Sequence, residues 1–181
     1  NTAIIRNSRA AYNVMGFEIE NVQGGEYDNN IAECNTGAFL IYDLENITRY
    51  GDTSVMINNV ARNNNTYNFA EPGTLVSNVP RGVGMITLAY DKLEIFDNLF
   101  QNNDTAGIVH TSYELMGVPG DRRLDMYTEG MHVYNNSFVN NGNNLLKGTE
   151  WEGKSLEEIV KGSSGNNQGL FNNAGHPSNP L

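Results

Sequence analysis

The chain has 181 residues, enough for one domain with its own core, and a formal net charge of −10. That balance excludes nucleic acid and other polyanions as direct partners unless a cation mediates. No run of about 18 apolar residues is present, so no membrane span is expected, and the single cysteine, Cys34, leaves no internal disulfide.

The start, "NTAIIRNSRAAYN", lacks the apolar run of an export leader, as a processed chain would. It carries the first of five related hexamers: "SRAAYN" at 8–13, "NIAECN" at 30–35, "NVARNN" at 59–64, "NLFQNN" at 98–103 and "NSFVNN" at 136–141. Asparagine makes up 29 residues and glycine 19. Both tolerate left-handed and turn backbone, so the chain should turn often.

Apolar residues stand at fixed offsets from the hexamers. Two residues after each first position come Ala10, Ala32, Ala61, Phe100 and Phe138. Three residues before it come Ile5, Tyr27, Met56, Ile95 and Val133. Such columns predict short strands with alternate side chains inward, and turns marked by Asn between them. A second strand follows most hexamers: "GFEIENV" from Gly16, "AFLIYDL" from Ala38, "GMITLAY" from Gly84 and "GIVHTSY" from Gly107. Aligned on their first residues, these give an inward column of Phe17, Phe39, Met85 and Ile108. A later column is Val22, Leu44, Tyr90 and Tyr113.

The hexamers start 22, 29, 39 and 38 residues apart. One turn of a stacked solenoid, lengthened by insertions, explains those spacings, since no repeat buries its apolar face alone. Coils stacked about 4.8 Å apart would let equivalent Asn amides bond along the axis. The expectation is an all-β fold, a right-handed parallel β-helix of about five coils over 1–150. Its loop insertions lie near 46–52, 66–81 and 113–129.

The outward positions of the second strand read Glu18 and Glu20, Leu40 and Tyr42, Ile86 and Leu88, and Val109 and Thr111. A face that apolar predicts either that the long loops pack over it or that it is an interaction surface. At the strand end stands an acidic column, Gln23, Glu45, Asp91 and Glu114, with Asp43 beside it. Stacked carboxylates repel. They can splay into water, share a cation such as Ca²⁺, or hold one carboxyl protonated. Glu45, Asp91 and Glu114 are therefore the candidate calcium ligands. Tyr42, Asp43, Tyr90, Arg122 and Arg123 are the candidate binding residues. His110, His132 and His176 show no metal-ligand spacing, and His110 takes an inward, core position. No catalytic residue is assigned.

The last segment, 151–181, changes character. Ser155 with Glu158 makes a capping box, and Gly162 can stop a helix. One short helix is expected over Leu156–Lys161, followed by an irregular tail.

The stretch "NFAEPGTLVSNVPRGVGMITLAYDKLEIFDNLFQNNDTAGIVHTSYEL", with the later "EGMHVYNNSFVNNG", resembles exported bacterial parallel β-helix repeat proteins of pectin-lyase-like fold. These are often encoded beside a dihaem c-type cytochrome. The resemblance covers roughly 17–145 and implies a periplasmic or extracellular module that presents loops to a polysaccharide or a protein partner, such as the cytochrome. It carries no established activity. The other reading is a polysaccharide-active lyase or glycosidase working in a groove beside the long loops. Only fold analogy supports that reading.

Overall fold

The structure is a computed structural model that describes residues 2–113, 121–144, 150–151, 154–155 and 170–173. Three parallel sheets dominate it, and no α-helix occurs among the described residues. The first sheet runs in the order β1 (Ile4–Arg6), β4 (Glu26–Asp28), β7 (Asp52–Ile57), β10 (Asp91–Phe96) and β13 (His132–Tyr134). The second stacks β2 (Arg9–Ala11), β5 (Ile31–Glu33), β8 (Val60–Arg62), β11 (Leu99–Gln101) and β14 (Ser137–Val139). The third stacks β3 (Met15–Glu20), β6 (Gly37–Tyr42), β9 (Val83–Leu88), β12 (Ala106–Thr111) and β17 (Leu170–Asn173). Strands β15 (Glu150–Trp151) and β16 (Lys154–Ser155) pair antiparallel. Each rung of the stack thus gives one strand to each sheet.

The columns expected from the sequence are Cα partners in these sheets. Ile5, Tyr27, Met56, Ile95 and Val133 pair in turn. So do Ala10, Ala32, Ala61, Phe100 and Phe138, and Phe17, Phe39, Met85 and Ile108. Their side chains build one buried cluster between the sheets. Phe17 stacks on Phe39 at 5.1 Å and Phe100 on Phe138 at 5.2 Å, offset rings repeating along the stack as the strands do. Fully burying each large side chain contributes about 1.5–3 kcal/mol.

The doubled asparagines divide two tasks. The first residue of each pair bends the chain with positive φ, as at Asn29 (56°), Asn58 (56°), Asn63 (54°), Asn102 (54°), Asn135 (53°) and Asn140 (58°). Asn tolerates that region because its short amide bonds locally. The second residue turns inward and joins a ladder. One ladder runs through Ser8, Asn30, Asn59, Asn98 and Asn136, each backbone N–H donating to the amide Oδ1 of the next rung. A second runs through Asn13, Asn35, Asn64, Asn103 and Asn141 in the same way. The Nδ2 groups of the inner members donate forward to the next Oδ1 and back to a carbonyl of the previous rung, as Asn59 does to Asn98 and Tyr27. Buried amides so satisfied cost nothing in lost hydrogen bonds.

The outer face of the third sheet is covered. Leu40, Tyr42, Ile86, Leu88 and Val109 form a second buried cluster with Leu124, and Leu75, Val79, Tyr50 and Met126 pack against it. The insertions supply those covering side chains, Leu75 from a 3₁₀ turn at Leu75–Asn78. The apolar outward positions are thus a buried layer beneath the loops. The helix expected over Leu156–Lys161 lies outside the described residues, and Ser155, its expected cap, belongs to β16.

Candidate functional site

The edge of the third sheet, where β6 and β9 end, meets the roots of two loops. Its strands deliver Tyr42, Asp43 and Tyr90 there, all buried. The Tyr42 hydroxyl donates to Glu20 Oε2 at 3.1 Å, and burial pushes the phenol's pKa well up. The Tyr90 hydroxyl donates to the carbonyl of Val22 at 2.5 Å and lies 2.5 Å from Ser54 Oγ. Burial likewise raises its pKa.

Asp43 is 1% exposed, and the backbone N–H of Gly51 lies 2.9 and 2.7 Å from its two oxygens. Burial lifts this carboxyl from 3.8 to about 7, against the lowering effect of the Gly51 bond; Asp91, Asp52 and Glu20 push the same way as burial. No cation is bonded to it among the described residues.

Of the acidic column, Asp91 opens β10 as the Cα partner of Asp52 in the first sheet, Gln23 bridges the same Asp52, and Glu45 lies in the loop after β6. Asp91 Oδ1 accepts the N–H of Glu129 at 2.9 Å, and burial raises its pKa. Glu45 Oε2 accepts the N–H of Asp121 at 3.1 Å. Glu114 lies outside the described residues. Two acids of the column are thus drawn to different residues of one insertion, and peptide N–H groups relieve their repulsion. Among the described residues no group of three or more His, Cys, Asp or Glu side chains could hold a metal.

Asp121, which the sequence reading passed over, ties the two loops together. Its carboxylate accepts from the Asn46 N–H at 3.1 Å, from the Tyr50 hydroxyl and from Arg123 Nη2 at 2.7 Å. Arg123 first, then Tyr50, holds this carboxyl well below the usual range. The Arg123 N–H also bonds Oδ1 at 2.9 Å, the local turn that Asp favours. "PGD" before two arginines signalled a turn, but nothing in it signalled a partner 75 residues away. Arg122 is exposed. A polar groove of about 490 Å³ opens here, walled by Arg49, Tyr50, Gly51, Asp52, Asp91 and Arg123. Asp43 and Tyr90 lie behind Gly51 of its wall, and Tyr42 packs with Leu40 and Leu75 in the covered layer.

The histidines are apart from this groove. His110 is buried in β12 with Nδ1 2.5 Å from Thr87 Oγ1 and Nε2 unpartnered. Burial lowers its pKa to about 4, so the ring is neutral. His132 lies on β13, its ring 4.5 Å from that of Tyr134.

No protein-family model matches the chain, and no solved structure matches it. A stretch is similar to iron superoxide dismutases. It is 52% identical over 46 residues to that of Rhodobacter capsulatus, covering 23% of this chain and 23% of the relative. It is 56% identical over 48 residues to that of Salmonella typhimurium, 26% and 22%. It is 58% identical over 41 residues to that of Bordetella pertussis, 23% and 20%. The chain therefore spans less than a quarter of the length of these relatives.

These relatives correct three expectations. The resemblance to exported β-helix repeat proteins is not upheld, because the named relatives are dismutases and no family model supports the other family. The function drawn from it, a module presenting loops to a glycan or a partner protein with a polysaccharide-active enzyme as alternative, is overturned by the same finding. Calcium is corrected too: the relatives are named as iron enzymes, and Glu45 and Asp91 are bonded to loop N–H groups. A polysaccharide or cytochrome partner rests on that resemblance alone. No helix among the described residues is long and apolar enough to cross a membrane.

Proposed function

We propose that the chain serves superoxide dismutation of the iron-dependent type, on the strength of its dismutase-like stretch, and that a parallel β-helix is the frame of the described residues. The identity of 52–58% over 41–48 residues carries the first half of this reading. The frame is a right-handed parallel β-helix occupying 1–150, with 151–181 as a separate tail that lends Leu170–Asn173 back to the third sheet. Three sheets of parallel strands in the same rung order support that closure, and parallel connections are right-handed with few exceptions. Asp91 and Arg123 are the residues through which the groove would touch a small polar ligand.

The described residues do not fit an iron site. His110 is walled into the core beside Thr87, His132 lies beside an aromatic ring, and no third ligand joins either. No step of dismutation is derived from them. The iron ligands of this reading come from outside the described residues, a set that includes His176.

The test measures iron content and superoxide consumption on the full chain. Bound iron with dismutation that survives His110→Asn supports the reading. A folded chain that takes up no iron and leaves superoxide decay at its spontaneous rate overturns it.

A further inference from the structure

We propose that Asp43 is a proton-operated latch: the loop 44–51 is closed against the sheet edge while the buried carboxyl is protonated, and loosens when it ionises. The inference is independent of the dismutase reading.

The geometry sets up the latch. A carboxylate can accept about four hydrogen bonds. Among the described residues Asp43 receives one donor, the Gly51 N–H, placed between its two oxygens. The side chain is 1% exposed, so water does not make up the difference. An uncompensated buried charge is costly, whereas a neutral carboxyl is tolerated.

The surroundings deepen the asymmetry. Glu20 faces Asp43 from β3, Asp52 from β7 and Asp91 from β10, all of the same sign. Tyr90 and Tyr113 stand beside it as uncharged phenols, held so by burial. Lys92 is paired with Asp52 at 3.4 Å and Arg123 with Asp121, and Arg49, on the loop itself, makes no ion pair with Asp43. Ionisation of Asp43 thus puts a negative charge among three others behind a dry wall.

Relief comes by moving the loop. The Tyr113 hydroxyl donates to the Asp43 carbonyl at 2.6 Å and pins that backbone. Gly51 is the side on the loop. Its Cα packs so close to the Tyr90 ring and the carboxyl that an added Cβ would clash with both. Beyond Gly51 the segment Asn46–Arg49 is exposed. It is tied down by Asn21, which accepts from Leu44 N and donates to the Arg49 carbonyl, and by Asp121. Thr48, Arg49, Tyr50 and Gly51 wall the groove, so the same movement widens it.

The test is an NMR titration of the Asp43 carboxyl carbon in the full chain, with hydrogen exchange at the Gly51 amide from pH 5.5 to 8.5. After correction for base catalysis, protection of Gly51 should fall by roughly tenfold as Asp43 ionises, because opening frees the amide. Asp43→Asn, a neutral carboxamide of the same shape, should keep the protection throughout. A carboxyl titrating near pH 4, or Gly51 protection that is flat with pH in the unsubstituted chain, overturns the latch. Those two readouts need no variant, so poor folding of Asp43→Asn leaves the test intact. A folded Asp43→Asn that loses protection like the unsubstituted chain overturns it as well.

Discussion

The Oδ1 atom of Asn136 accepts both the backbone N–H and the Nδ2–H of Asn98, each at 3.0 Å. Nδ2 of Asn98 also donates to the carbonyls of Met56 and Phe96 at 2.9 Å. One amide thereby joins three rungs. Asn98→Ala takes a donor from each of those carbonyls and the acceptor from the Asn59 N–H that bonded Asn98 Oδ1. It should cost about 1–3 kcal/mol in urea unfolding. Asn98→Asp should cost more, since it replaces two donors with an acceptor facing carbonyls. Equal stability of all three chains would refute the ladder as a source of stability.

The other member of each pair makes a different prediction. Cys34 occupies the left-handed bend before Asn35 with φ of 56°, where other rungs place Asn63, Asn102 and Asn140. A residue without a local amide bears about 1–2 kcal/mol of strain there. Cys34→Asn should therefore stabilise the chain by up to about 1 kcal/mol, and Cys34→Val should destabilise it, because a β-branched residue fits that region worst. Thermal melts of the two variants read this directly. A loss of stability in Cys34→Asn would show that the thiol's packing outweighs the backbone.

These two positions show what the sequence made legible. A period set by stacking repeats residue by residue, so Phe39 over Phe17 and Asn98 over Asn59 stood in columns before any coordinates. The covering of Leu40 and Ile86 followed from apolar residues placed where water should be. The division of labour within "NN" was hidden, because both residues are Asn and only φ tells them apart. Asp121 was hidden for another reason: its partners Asn46 and Tyr50 come from a different loop, and loop-to-loop contacts have no period. The likeness to dismutases is a match to other chains, so columns within this one could not carry it.

The tie through Asp121 predicts coupling between the two insertions. Asp121→Ala removes the acceptor of the Asn46 N–H and the Tyr50 hydroxyl together. The amide of Asn46 should then exchange faster, while the ladder amides of Asn59 and Asn98 stay protected. Tyr50→Phe should reproduce part of the effect, since it deletes one of the bonds. Unchanged exchange at Asn46 in Asp121→Ala would mean that the loop is held by packing alone.

The last prediction sets two buried groups against each other. His110 has its folded pKa lowered from 6.5 to about 4, by burial. The unfolded chain therefore binds the extra proton between those values, and this term is full above pH 6.5 and fades as pH falls towards 4. Its size is roughly 3 kcal/mol, order of magnitude only. Asp43 has its folded pKa raised from 3.8 to about 7. The folded chain binds the extra proton there, so this term is full below 3.8 and is lost as pH rises through 7. Asp91, also raised by burial, adds to that sign. Glu33 and Asp121 are shifted down, so their terms change below their ordinary values of 4.5 and 3.8, under most of this window. Between pH 4.5 and 6.5 the two buried groups oppose, and the unsubstituted chain should show a shallow profile. His110→Gln removes the rising term, leaving stability that falls with pH. Asp43→Asn removes most of the falling term, leaving stability that rises. Urea midpoints at half-unit pH steps measure both slopes. Parallel profiles in the two variants would refute the assignment of opposite proton uptake to His110 and Asp43.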